Sequence, residues 1–451
     1  MRVAVIGSGI SGCAAVRELS SWCGVTVFEA ADRLGGHTHT QTIHVDGQRL
    51  FVDTGFIVFN HRTYPGLTPW LASLGVETTP SDMSFSASLD GGALEWSGSD
   101  LNGVFAQRRN LLSPRFLRML ADILRFNREA PIDAARFRHM INGGPSLGEY
   151  LDSKGYRGLF LDAYLLPMAG AIWSCPMAQM REFPMTTFTR FCENHGLLSI
   201  RERPQWYTIR DGSHQYIHKL QNQLVSEGRD VQWRTGHRVE SIQPMAKDLQ
   251  HPHGHAVTIR GEDRNNGTCF EETFDAVVLA CHSDQAASVL PEKLPARSLA
   301  SHIRYQDNIA VLHTDTKLMP RRRSAWAAWN YIHDRQTNNG SSGISVTYWM
   351  NRLQSLSIKT PVLVSLNPCR MPEPDRVINT MHYAHPIFDG PAVAAQRELP
   401  KVQGIEGIWL AGAWTRYGFH EDGFQSGVNA ARSLESALRK GHDAAGLAKA
   451  A

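Results

Sequence analysis

At 451 residues, with 42% hydrophobic and 20% charged content, the chain is an ordinary globular protein with length for two or three domains and a sizeable core. Its net charge of +3 gives no basis for a nucleic-acid partner. Seven scattered cysteines (Cys13, Cys23, Cys175, Cys192, Cys269, Cys281, Cys369) include no CxxC pair, which argues against a zinc site or a dithiol redox centre and fits a reducing, cytoplasmic setting.

Residues 3–6 (Val-Ala-Val-Ile) are wholly apolar and run directly into Gly7-Ser8-Gly9-Ile10-Ser11-Gly12. A second apolar run, 25–28, ends at Glu29. Strand, glycine turn, helix, strand and acid in this order are the dinucleotide-binding fingerprint in its required context. Gly7 serves the tight turn, Gly9 lets a pyrophosphate approach, and Gly12 lets the helix pack on the strand. The helix beginning near Ile10, with Ser11 in its first turn, turns its unpaired N–H groups toward the phosphates. Glu29 is placed to accept ribose hydroxyls. The opening apolar run is too short for a signal peptide. No segment approaches the roughly 18 apolar residues of a membrane span. Any membrane contact is therefore expected to be peripheral, at the inner membrane face.

Asp32-Arg33-Leu34-Gly35-Gly36-His37-Thr38 follows. Here the chain resembles the flavin-containing amine oxidase and phytoene desaturase superfamily, whose members continue with Arg-x-Gly-Gly-Arg-x-x-Thr. The resemblance implies FAD, with Arg33, Gly35, Gly36, His37 and Thr38 around its pyrophosphate. His37 stands where the family usually has a second Arg, so one fixed positive charge is lost. Residues 40–45 and 50–53 alternate like a hairpin around Asp46-Gly47. In the superfamily, a glycine in the next stretch passes close to the isoalloxazine ring, which assigns Gly55 and Phe56 to the cofactor site. A plain buried strand is the alternative.

Residues 80–205 read as substrate-domain material. Residues 110–130 have helical spacing, with Phe116, Leu120, Ile123, Leu124 and Phe126 apolar and arginines at 108, 109, 115, 118, 125 and 128 around them. Such a basic amphipathic helix can lie on an anionic lipid surface, or be a domain helix with a solvated face. Arg321-Arg322-Arg323 with Trp326 and Trp329 could extend that surface. Residues 165–174 are apolar and rich in small residues, fit for lining an apolar pocket or for core packing.

From Asp211 the chain returns to the first domain with a helix (215–228) and a strand (231–233). Val239 then holds the place of a valine that contacts the adenine end in the resembling family. Residues 256–260 and then 270–280 extend an antiparallel section that ends in a buried parallel strand over 276–280. His251, His253 and His255 alternate in a polar loop, but no carboxylate or cysteine accompanies them and no metal is expected. Strands at 309–313, 344–349 and 362–366 suggest a mostly antiparallel sheet. Many superfamily amine oxidases carry a lysine just before the first of these, where Asn308 stands here.

Residues 407–412 form a strand ending at Gly412, and a loop over 413–422 leads to a helix from Gly423 to about residue 439. Asp422 is a candidate N-cap and Gly441 a candidate stop. This matches the second FAD motif of the superfamily, which implies cofactor contacts from Gly412, Ala413, Gly423 and Phe424. The usual acid after the glycine is Ala413. No second GxGxxG is present, so a separate NAD(P)H domain is not expected.

The expected fold is α/β: a Rossmann-like FAD-binding domain, a parallel sheet with helices on its faces, from residues 1–79, 206–290 and 401–445. It is interleaved with an α+β substrate domain with a mostly antiparallel sheet, from 80–205 and 291–400. Over its whole length the chain looks similar to bacterial NAD/FAD-binding oxidoreductases found beside cyclopropane-fatty-acid synthases. That association implies a fatty-acyl substrate, with hydride transfer from a C–H bond to flavin N5. Tyr417 and His420 are the polar groups expected near the ring. Two alternatives stay open: an amine oxidase releasing hydrogen peroxide, and a non-catalytic FAD-binding partner of a lipid methyltransferase.

Overall fold

Five short strands, apolar almost throughout, can be buried on both faces only in a parallel sheet covered by helices. The computed structural model, which describes all residues except 138–139, 141–143, 174–176, 200–202, 246–255, 334–343 and 451, forms that sheet. Its order is Val231–Arg234, Gly24–Phe28, Arg2–Ile6, Ala276–Leu279, Ile408–Leu410, all parallel. The opening helix (Ile10–Leu19) and the closing helix (His420–Ala450) share a core with Val3, Val5 and Val27 on one face. Phe28, Val277 and Leu279 face the other core, which the helices Ser283–Val289 and Gly390–Val402 share with the antiparallel strands His237–Pro244, Val257–Asp263 and Thr268–Phe274, where Phe28 packs on Phe270 and Phe274. The antiparallel section gives way to a parallel strand within residues 270–280, as expected. Thr268–Phe274 belongs to a three-stranded antiparallel sheet, and only Ala276–Leu279 joins the parallel one. Arg2 holds the break, exchanging two hydrogen bonds with Asp275.

A seven-stranded sheet makes the second body: Val377–Pro386, Tyr305–His313, Leu363–Leu366, Ile344–Trp349, Trp329–His333, Phe85–Leu89, Leu94–Ser97. Its pairs are antiparallel except between Trp329–His333 and Phe85–Leu89. The core beneath it takes in Leu165 and Ala169, both fully buried, so that apolar run packs the interior as far as it is described. The arginine-rich helix, Pro114–Phe137, buries Phe116, Met119 and Phe126 in the same core. Leu124, expected on that apolar face, is instead exposed. It lies two residues from Phe126, about 200° around the helix axis. The hairpin forms as expected, Thr40–Val45 with Gln48–Asp53, with positive φ at Asp46 and Gly47. Among the described residues no helix is long and apolar enough to cross a membrane.

Candidate functional site

The C-terminal ends of the parallel strands meet at the glycine turn. Gly7 has φ +99°, and a Cβ there would lie 2.8 Å from the carbonyl oxygen of Ala280. A Cβ on Gly12 would lie 2.0 Å from the Gly7 oxygen, so the opening helix can sit this close only without a side chain. Gly9 differs: a Cβ would meet nothing within 4 Å. Across the turn, a Cβ on Gly36 would lie 3.4 Å from the Gly9 Cα. The opening helix has neither a side-chain cap nor an acid in its first turn, leaving the amides of Ile10, Ser11 and Gly12 for an outside acceptor. An open cradle of glycine backbone at an uncapped helix start fits an anionic pyrophosphate.

Ser8 organises the cradle, and nothing in the sequence pattern marks it. Its Oγ donates to Glu29 Oε2 (2.6 Å) and accepts from the Gly35 amide (2.9 Å). The Ser8 amide also donates to Glu29 Oε2, and the Ala31 amide to Oε1. Arg33 donates to the carbonyls of Gly36 and Thr38, so its guanidinium braces the loop from behind. The carbonyl of His37 accepts from the Phe56 amide, and a Cβ on Gly55 would lie 2.2 Å from that oxygen. Val239 is buried on the strand His237–Pro244, whose first amide donates to the Glu29 carbonyl.

The second half of the site starts three residues earlier than expected. The closing helix begins at His420, and Asp422 is not its N-cap but its third residue. From there it reaches back to accept from the amides of Phe419 (3.0 Å) and Tyr417 (3.2 Å). The unpaired amides at this end are therefore those of His420, Glu421 and Asp422, while the Gly423 amide donates to the Phe419 carbonyl. Gly441 does not stop the helix, which continues to Ala450. Gly412 donates to Ser426 Oγ, tying the last strand to this helix, and Ala413 accepts from the Gly418 amide. A Cβ on Gly423 would lie 2.7 Å from Ile10 Cγ2, and one on Gly427 would lie 2.1 Å from the Ser11 carbonyl oxygen. The two helix starts thus converge on one place. The Phe424 ring packs on Trp70 in the core. Glu421, buried, accepts from the amides of Gly66 and Leu67 and so caps the helix Leu67–Ser73.

His420 is buried as well. Its ring stacks on Phe56 (centroids 3.6 Å apart), and its Nε2 lies 3.1 Å from Thr38 Oγ1 and 3.3 Å from the Tyr216 hydroxyl. Burial holds its pKa down to about 3, so it is neutral and braced. Tyr417 is half-buried beside an aromatic group in which Phe419 and His195 both pack on Phe191. Burial holds His195 at about 4, neutral too.

Between the glycine cradle and the seven-stranded sheet lies a polar layer that the motifs do not announce. The His37 ring is 5.1–5.6 Å from those of Tyr383, His385 and His282. Burial, then the neighbouring His385 and His282, keep its pKa well below the ordinary histidine value, and its Nε2 has no hydrogen-bond partner. His385 Nδ1 is 3.2 Å from Asn308 Nδ2, and the Tyr383 hydroxyl bonds Thr54 and His39. His37 follows the glycine pair, His282 follows the fourth parallel strand, and His385 and Asn308 come from the facing sheet. Among the described residues no group of three or more His, Cys, Asp or Glu is arranged to hold a metal. His251, His253 and His255 lie outside the described residues.

Residues 10–434 match the family model described as flavin containing amine oxidoreductase. No curated protein matches the chain. Solved structures of the same fold include wild-type putrescine oxidase bound to putrescine (14% identity, TM-score 0.63, covering 97% of this chain and 99% of that one). Cyclohexylamine oxidase from Brevibacterium oxydans IH-35A is similar at 16% identity and TM-score 0.64, with coverage of 97% and 99%. A CLA-producing fatty acid isomerase from P. acnes is similar at 13% and 0.61, with coverage of 96% and 98%.

Proposed function

The chain belongs to the flavin-containing amine oxidoreductase family and is an FAD-dependent oxidoreductase; from that premise we propose that it takes a hydride from a C–H bond of an apolar, fatty-acyl substrate, in a desaturation, isomerisation or oxidation. Bound FAD supplies the hydride acceptor. The glycine cradle would hold its pyrophosphate between Gly9 and Gly36, and Glu29 its ribose. The chain's own part is to position an acyl carbon and to keep water out.

The observation that carries the substrate reading is the uncharged cluster of rings around Tyr417, from which the carboxylates of Glu421 and Asp422 are turned away to accept backbone amides. Phe191, Phe419 and Tyr417 are aromatic, and His195 and His420 are held neutral by burial. Asn308, which the sequence pattern sets where many superfamily amine oxidases carry a lysine, is engaged with His385 and Asn367. A methylene chain needs apolar contact and no counter-ion. One similar structure is a fatty acid isomerase, which agrees with that chemistry.

The test is anaerobic titration of the FAD-loaded protein with acyl phospholipids, free fatty acids and a panel of amines, followed by mass analysis of the lipids. Altered acyl chains are the expected result, with the flavin band bleached where the chain is desaturated or oxidised and left oxidised where the hydride returns to an isomerised product. Bleaching by putrescine or aromatic amines only, with peroxide released in air, would assign amine oxidation instead. Flavin that no compound reduces, with a lipid methyltransferase co-purifying, would make the chain a binding partner.

A further inference from the structure

The arginine-rich helix turns leucines outward. Its inward residues, Phe116, Met119, Phe126 and Ala130, belong to the core, so that face is not free for a partner. On the outer side Leu117, Leu124 and Ile132 are 44%, 55% and 53% exposed, spaced seven and eight residues apart and hence on one stripe. The turn before the helix continues it: Leu112 is 87% exposed, and Leu101 just upstream is 77% exposed.

Charge surrounds this stripe. Residues 101–136 hold seven arginines against Asp122, Glu129 and Asp133. Both aspartates are buried, where Arg118 and Arg125 flank Asp122, and Tyr150 and Lys154 contact Asp133. Arg321-Arg322-Arg323 joins the same surface through the turn at residues 90–95. Buried Glu95 accepts from the amides of Arg321 (2.6 Å) and Arg322 (3.2 Å), Arg322 also donates to the Gly92 carbonyl, and Arg109 donates to the Ala93 carbonyl. Arg323 lies 3.7 Å over the Trp326 ring.

We infer that this face, the turn Arg108–Leu112, the outer stripe of the helix Pro114–Phe137 and the loop at residues 321–323, docks the protein on an anionic phospholipid bilayer. Exposed leucines among arginines suit the boundary where acyl chains meet anionic headgroups. Against a second copy, the same face would set like charges together. Against a nucleic acid, the leucines would have no counterpart. The inference is independent of the substrate reading, because surface binding is measured without turnover.

The test is co-sedimentation of the FAD-loaded full chain with phosphatidylcholine vesicles, alone or mixed with phosphatidylglycerol. Binding to the mixed vesicles only, weakened by added salt, is expected. Arg115→Glu with Arg128→Glu should lower it on the order of tenfold or more, and Leu112→Ser with Leu124→Ser should also lower it. Retained flavin and an unchanged melting midpoint would report intact folding in both variants. Equal binding to both vesicle types, no binding at low salt, or binding unmoved by either variant would overturn the inference. So would a dimer that the leucine variant dissociates, which would give the face to self-association.

Discussion

Gly7 and Gly9 stand two residues apart and answer to different demands. An alanine at Gly7 would meet both a left-handed φ and the Ala280 carbonyl, so Gly7→Ala is expected to lower the melting midpoint and FAD binding together. Gly9 has an extended backbone (φ −62°, ψ −177°) with open space beyond it. Gly9→Ala should therefore leave the apoprotein's melting midpoint unchanged and weaken FAD binding at least about tenfold, since one methyl enters the cradle that the phosphates need. Equilibrium titration with FAD and a thermal melt separate the two, and an unweakened Gly9→Ala would move the pyrophosphate elsewhere. Ser8→Ala strips one donor from Glu29 and leaves the buried Gly35 amide without its acceptor, at a cost of about 1–3 kcal/mol. The glycines were legible because their spacing is local. Ser8 was not, because its two side-chain partners lie 21 and 27 residues away.

Elements were legible where one periodicity governed them and less so where a distant contact set their ends. The parallel strands and the hairpin followed from continuous and alternating apolar runs. Asp422 has the residue type of an N-cap, but its carboxylate reaches back from inside the first turn, so the closing helix starts earlier than its sequence signal. Helical spacing places Leu124 near the apolar face without giving that face's width, and the buried stripe stops short of it. Glu421 shows the same limit: its partners, the amides of Gly66 and Leu67, are 355 and 354 residues away. Glu421→Gln leaves one buried amide facing an amino group, so a loss of about 1–3 kcal/mol is expected in denaturant unfolding. The helix crossing makes a sharper case. Gly427→Ala would drive a methyl to 2.1 Å from the Ser11 carbonyl, displacing the two helix starts that frame the cofactor, whereas Gly390→Ala meets nothing within 4 Å. The first should lose FAD and stability and the second neither; similar behaviour of the two would remove the close crossing.

At the scale of the whole molecule, two populations of buried titratable groups oppose one another. Burial depresses the pKa of His39, His195, His313 and His385 to about 4 and of His420 to about 3. Below about pH 6.5 the unfolded chain protonates these side chains while the folded one does not, so each withdraws stability as pH falls toward 4. Asp53 and Asp422 work the other way. Burial raises both to about 6, so between about pH 6 and 4 the folded state binds protons that the unfolded state does not, and acidification favours folding through them. Five groups outweigh two, so with FAD in fixed excess the melting midpoint should fall from pH 7 to pH 5. Asp422→Asn removes one opposing carboxylate while keeping an oxygen for the Phe419 amide, and should make the fall steeper. A midpoint that rises on acidification would mean that these buried histidines take up protons in the folded state, and a shallower slope in the Asp422→Asn variant would mean that Asp422 stays ionised there down to pH 5.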